Sequence, residues 1–185
     1  MEALKRDLKT IADFERLPEG TLVQLIDGEL VMSPAPTSIH QLILAELVFH
    51  LTSFVKQNQR GTVLFSPIDV YFSDIEAYQP DIVYVAKSRR QVITEKGIRG
   101  APDLVMEILS PSTGYHDLIH KKGVYESYGV KEYWIVDPGE RQIQVLENVN
   151  GKFEIVSENR KAGRVESKLL SGFSVSVEGV FTIED

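Results

Sequence analysis

Apolar residues at Ile39, Leu42, Ile43, Leu47, Leu51, Phe54 and Val55 recur at the three-and-four spacing of a buried helical stripe. Thr37 or Ser38 can cap this stretch, and Gly61 lies just past its end near Asn58, so it predicts the longest helix, packed across a sheet. Elsewhere the period shortens to two. Residues 21–26 and 29–32 are strand-like runs about Asp27-Gly28, a strong two-residue hairpin signal. Residues 62–65 and 68–72 read as strand interrupted by Ser66-Pro67, and residues 82–85 read as a central strand headed by Pro80-Asp81. A strand over 103–109 follows, then a helix over 115–128 closed by Gly129, and a strand over 131–137 stopped by Pro138. A short helix capped by Thr10 precedes all of these, and short β runs at 142–146 and 152–156 come after them. The alternation at 164–170 and 173–177 reads as a sheet extension or a dimer edge.

Two charges sit where this pattern expects apolar side chains. Side chains alternate along a strand, so Asp103, Val105, Glu107 and Leu109 share one face and Leu104, Met106 and Ile108 the other. Glu107 is thus flanked by apolar neighbours, where an unpaired carboxylate costs several kcal/mol or takes up a proton; it calls for a cation. At 100° per residue, Leu118, Lys121, Tyr125 and Tyr128 fall within one inward stripe about 80° wide. Lys121 either forms a structural ion pair with Asp117, four residues earlier, or serves a site. Asp81 is either a turn carboxylate or a group presented at a strand mouth. Glu29 is the first residue of the hairpin's return strand, and His40 lies in the first turn of the long helix, a common surface or capping position.

The order of elements predicts a small α/β fold: a mixed central sheet flanked by helices, with additional β-hairpins and a right-handed strand–helix–strand crossover over 103–137. In that arrangement Asp81 and Glu107 on neighbouring strands, with Lys121 approaching from the helix, converge on one pocket. Two carboxylates can hold a hard divalent cation and a lysine can orient or deprotonate water, a set suited to metal-assisted phosphodiester hydrolysis.

Composition narrows the field. At 185 residues, 43% hydrophobic and 25% charged, the chain is of one-domain size with an ordinary globular makeup. The absence of cysteine removes disulfides, thiolate metal sites and a Cys nucleophile, leaving a ligand set that suits Mg2+ or Mn2+. The charged start lacks a signal-peptide core, and the apolar run at 42–51, broken by Glu46 and His50, is too short for a membrane span; the expectation is a cytoplasmic protein without a membrane partner. A net charge of −7 argues against a surface coated in positive potential, leaving Lys87-Ser88-Arg89-Arg90, Lys121-Lys122 and Arg160-Lys161 as local basic clusters.

The ordered pattern Gln79-Pro80-Asp81, Ala101-Pro102-Asp103-x-x-x-Glu107-x-x-Ser110-Pro111-Ser112-Thr113, Asp117-x-x-x-Lys121-x-x-x-Tyr125 and Gly129-Val130-x-Glu132-Tyr133-Trp134-x-x-Asp137-Pro138 closely resembles a large bacterial family of restriction-endonuclease-like proteins of the PD-(D/E)XK nuclease superfamily. The resemblance covers roughly residues 20–155, the core of one restriction-endonuclease-like domain over 1–185 with a C-terminal β extension from about 156. It implies that Asp81 and Glu107 are the metal-binding acids, with the Ile108 carbonyl as third ligand. The superfamily's usual lysine position holds Leu109, and the resemblance implies that the lysine has migrated to Lys121 on the following helix. Glu29 and His40 match family positions as additional site residues, and Asp103 and Asp117 as structural or supporting carboxylates. The implied activity is Mg2+- or Mn2+-dependent DNA endonuclease action, by a homodimer. The alternative is a catalytically inactive nuclease fold that binds nucleic acid or protein; a hydrolase of small phosphorylated substrates lacks a Gly-rich phosphate loop.

Overall fold

The computed structural model describes residues 8–18, 20–110 and 115–182, and for residues 115–117 the backbone alone. In chain order the elements are α1 (Ile11–Phe14), β1 (Val23–Ile26), β2 (Glu29–Met32), α2 (Ser38–Gln57), β3 (Gly61–Phe65), β4 (Val70–Ser73), β5 (Glu76–Tyr78), β6 (Ile82–Ala86), a 3₁₀ segment (Lys87–Val92), β7 (Ile98–Arg99), β8 (Leu104–Ile108), α3 (Tyr115–Ser127), β9 (Glu132–Asp137), β10 (Gln142–Val149), β11 (Lys152–Arg160), β12 (Arg164–Glu166), β13 (Ser174–Ser176) and α4 (Val177–Phe181). This is an α/β fold with mixed sheets flanked by helices.

The main sheet has the order β11-β10-β9-β8-β6-β3; β8 runs parallel to β9 and antiparallel to β6. Both faces of β8 are covered, so all five of its residues are buried. On one face Leu104, Met106 and Ile108 pack with Ile43, Leu44, Leu47, Leu51 and Val55 of α2. On the other, Val105 packs with Val124 and Tyr125 of α3 and with Val70, Phe72 and Tyr78 of a second sheet, ordered β2-β1-β5-β4-β7. The alternation expected along 103–109 is therefore present, with each face assigned to its own helix.

Several elements differ from the sequence reading for identifiable reasons. The chain crosses from the main sheet to the second sheet at Ser66-Pro67, so β3 and β4 are not one interrupted strand. β6 lies one strand in from the edge, whereas β8 and β9 are central. Ile39 and Leu42 are each 50% exposed: the stripe of α2 that meets the sheet begins at Ile43 and includes Leu44 instead. The helix is long and apolar enough in composition to cross a membrane, but its buried face is engaged by the sheet. Tyr128 lies past the end of α3 and is 42% exposed, its ring 5.3 Å from Phe72. The C-terminal alternation forms a separate two-stranded sheet, β12-β13, and Val165, Phe173, Val175 and Val180 join the core against α2.

A buried acid fixes this C-terminal segment to the main sheet. Glu132, fully buried at the start of β9, accepts from Trp134 Nε1 (2.8 Å), Ser167 Oγ (2.7 Å), and the Lys168 (2.7 Å) and Leu169 (2.9 Å) backbone N–H groups. Four donors offset the cost of removing the carboxylate from water.

Candidate active site

Asp81 directly precedes β6, and Glu107 is the penultimate residue of β8. The antiparallel register pairs Ile82 with Met106, so continuing it by one residue sets Asp81 opposite Glu107. Opposed residues of an antiparallel pair share a face, which is why two acids distant in sequence line one cavity. That cavity, about 520 Å³, is also lined by His40, Lys121, Ile108 and Leu109, with Gln24 and Met32 of the hairpin on its far side.

Each acid is held by its own set of donors. Asp81 Oδ2 accepts from the Ile108 N–H at 2.7 Å, and His40 Nε2 lies 3.2 Å from the same carboxylate. Glu107 receives Lys121 Nζ at 3.3 Å from both oxygens and the Tyr125 hydroxyl at 2.6 Å on Oε1. Burial pushes the Glu107 carboxyl up to about 7; Lys121 opposes that rise, and the Asp81 charge reinforces it. The hydrogen bond to Asp81 raises the His40 imidazole above its ordinary value against the effect of burial. Burial, followed by the Glu107 charge, raises the Tyr125 phenol well above its ordinary value, so it remains a donor.

Local structure accounts for these positions. Thr37 caps α2 by accepting the His40 N–H at 3.2 Å, which fixes the first turn and aims the imidazole at Asp81. Lys121 and Tyr125 lie four residues apart on α3, on the side packed against β8, so both reach the one acid pointing from that face.

The other residues singled out from the sequence are placed differently. Glu29 begins β2 in an exposed position and does not line the cavity. Asp103, fully buried at the opposite end of β8, accepts from the Ala86 N–H at 2.8 Å and pairs with Arg89 and Lys131. Burial pushes its carboxyl up, but these three donors outweigh it and hold the value below the ordinary one. The side chain of Asp117 lies outside the described residues. At Ile108 it is the N–H that contacts Asp81. Tyr125 was read as part of an inward stripe and of the family pattern but given no role; its spacing of four from Lys121 was the signal that it shares that lysine's target.

A further cluster was not apparent from the sequence. Among the described residues, one set of three acid or imidazole ligand atoms lies within 4.8 Å of one another, those of Asp27, Glu76 and His120. It does not include Asp81 or Glu107. Asp27 had the bland reading of a turn former, and Glu76 lies on a three-residue strand too short to show periodicity.

The mixed sheet between α2 and α3, with two acids presented at the ends of adjacent strands, is a restriction-endonuclease-like fold related to the PD-(D/E)XK nucleases. Over residues 11–178 the sequence matches the family described as "Uma2: Putative restriction endonuclease", and the chain belongs to it. A crystal structure described as a "putative nuclease belonging to DUF820" from Anabaena variabilis ATCC 29413 has a TM-score of 0.78 and 24% identity, covering 93% of this chain and 97% of that one. At that identity the likeness shows a common fold. No curated protein matches the sequence.

Proposed function

We propose that the protein is a metal-dependent DNA endonuclease in which Asp81 and Glu107 hold the cation and Lys121, migrated to α3, replaces the lysine that the superfamily usually carries two residues after the acid. The observation that carries this reading is the meeting of Asp81, Glu107 and Lys121 on one cavity, with Lys121 Nζ 3.3 Å from both Glu107 oxygens. The donor set fits the group: two carboxylates and the adjacent Ile108 backbone offer oxygen ligands of the kind that suits Mg2+ or Mn2+. When bound, such a cation neutralises charge on the scissile phosphate and acidifies water.

The chain's own residues perform the remaining tasks. Lys121 is positioned to hydrogen-bond an attacking water and to balance charge on the phosphate oxygens. The Tyr125 hydroxyl fixes the Glu107 carboxylate, and His40 orients Asp81. Leu109 lines the cavity without polar atoms, which leaves the lysine's place to be filled from α3.

The test is incubation of the purified protein with supercoiled plasmid and Mg2+ or Mn2+, beside Asp81→Ala and Lys121→Ala. Nicking by the wild type and its loss in both variants is expected; nicking that survives both substitutions refutes the site. Absence of cutting on any DNA, with retained binding, favours the inactive binding module.

A further inference from the structure

Glu76 is 6% exposed; the Tyr78 hydroxyl and the Asp27 N–H and carboxyl act on its carboxyl, yet its Oε2 atom has no hydrogen-bond partner among the described residues. A buried carboxylate oxygen without a partner is costly and requires an explanation. Its carboxylate faces two other potential ligands. Asp27 stands at the β1–β2 turn, His120 on α3, and all three offer ligand atoms within 4.8 Å of one another. The separation of His120 Nε2 from Asp27 Oδ2 is 3.7 Å, too long for a hydrogen bond. Two ligands each about 2.1 Å from a common ion stand roughly 3–4 Å apart, so this gap is of the size an ion spans. The Tyr78 hydroxyl, 3.0 Å from the same nitrogen, holds the imidazole in the ion-free protein and gives up that nitrogen to the ion.

We propose that Asp27, Glu76 and His120 form a second divalent-cation site, separate from Asp81 and Glu107 and of zinc-like preference. A cation there neutralises two facing carboxylates, one of them buried. One imidazole with two carboxylates favours Zn2+ over Mg2+, which prefers oxygen ligands and retains its waters. The three ligands come from three elements, so the ion ties α3 to the hairpin and to β5 at the residue next to Lys121. His120 and Asp27 are partly open to solvent, which gives the ion an entry path.

The test uses the full-length protein stripped with a chelator and titrated calorimetrically with ZnCl2 or MgCl2 alone. Asp27→Asn, His120→Gln and Glu76→Gln are compared with Asp81→Asn. One equivalent of zinc is expected, with affinity falling at least about tenfold in the three cluster variants and holding in Asp81→Asn. Millimolar Mg2+ does not displace it. Asn tolerates the left-handed conformation of Asp27 (φ 49°), so Asp27→Asn keeps the turn, and equal melting of this variant and wild type in chelator verifies the fold. No zinc uptake by the wild type, equal affinity in wild type and Asp27→Asn, or loss confined to Asp81→Asn each overturns the proposal. Because the cluster is read out by zinc in a background lacking Asp81, failure of the nuclease reading leaves this result intact.

Discussion

At the residue scale the site turns on one buried ion pair. Glu107 is 7% exposed and Lys121 7% exposed, so neither charge is well solvated and each depends on the other. With its folded value raised to about 7 above an ordinary 4.5, Glu107 binds more protons folded than unfolded between those values. Its contribution to stability is therefore present below about pH 4.5 and is lost as pH rises through about 7, after which it is level. His40, also raised, adds a slope of the same sign. Lys121→Met removes the interaction that opposes the rise, so the variant's stability continues to fall at pH values where the wild type is level. Urea denaturation at pH 5.5, 7 and 8.5 should show a penalty of about 3–5 kcal/mol at the alkaline end and much less at the acid end. A penalty independent of pH would show that Lys121 acts through packing alone. Tyr125→Phe should shift the Glu107 carboxyl further upward, because the 2.6 Å hydrogen bond favours its ionised form. The nicking-rate profile then moves to higher pH, whereas an unmoved profile would separate Glu107 from the chemistry.

At the scale of elements, the helix start that aims His40 was legible in Thr37 and Ser38, because a hydroxyl before an apolar stripe is a local signal that needs no tertiary context. Thr37→Ala should lower stability by about 1 kcal/mol and reduce nicking, while Thr37→Ser restores both; loss of activity in the Ser variant as well would detach the cap from His40. The hairpin at Asp27-Gly28 and the two faces of β8 were legible for the same reason: φ values of 49° and 74° at the turn, and alternation along the strand, are written in neighbouring residues. What the sequence left hidden depends on non-local pairing. Glu132 read as an ordinary strand residue, yet it receives donors from Ser167, Lys168 and Leu169, some 35 positions away along the chain. Ile39 and Leu42 fit the stripe of α2 as well as Ile43 does, and only the extent of the sheet beneath the helix decides which are covered. The meeting of Asp27, Glu76 and His120 requires the second sheet to pack beside α3, which no local pattern encodes. Glu132→Gln should cost about 2 kcal/mol or more, since the new amide NH2 confronts donors that the carboxylate satisfied. The urea midpoint should fall with an unchanged slope, and the zinc affinity of the intact variant should be that of the wild type.

At the scale of the molecule, electrostatics must be reconciled with the polyanionic substrate that the proposed activity requires. The formal net charge is −7, so the long-range field repels DNA and encounter rests on local cations. Many of those cations are already paired within the fold. Arg89 and Lys131 serve Asp103, Lys96 and Arg99 serve Glu15, Lys152 serves Glu126, Arg160 pairs with Glu140, and Lys121 is buried on Glu107. One cation of each basic cluster picked out along the chain, Arg89, Lys121 and Arg160, is thus engaged within the fold, which reduces the number left to displace counterions from phosphates. A protein that neutralises six to ten phosphates loses roughly 10³–10⁵ in affinity between 50 and 200 mM salt. Fewer contacts mean a shallower dependence, so a labelled duplex titrated with Asp81→Ala, which cannot cut, should lose no more than about a hundredfold over that range. A steep loss would reveal a concentrated basic face formed in the complex. A shallow one, together with plasmid nicking by the wild type, would place recognition in the cavity and the exposed apolar rim at Val31 and Met32 instead of in a charged groove. That outcome fits a nuclease whose specificity comes from close contact at the site and whose affinity for bulk DNA is kept low by its own negative charge.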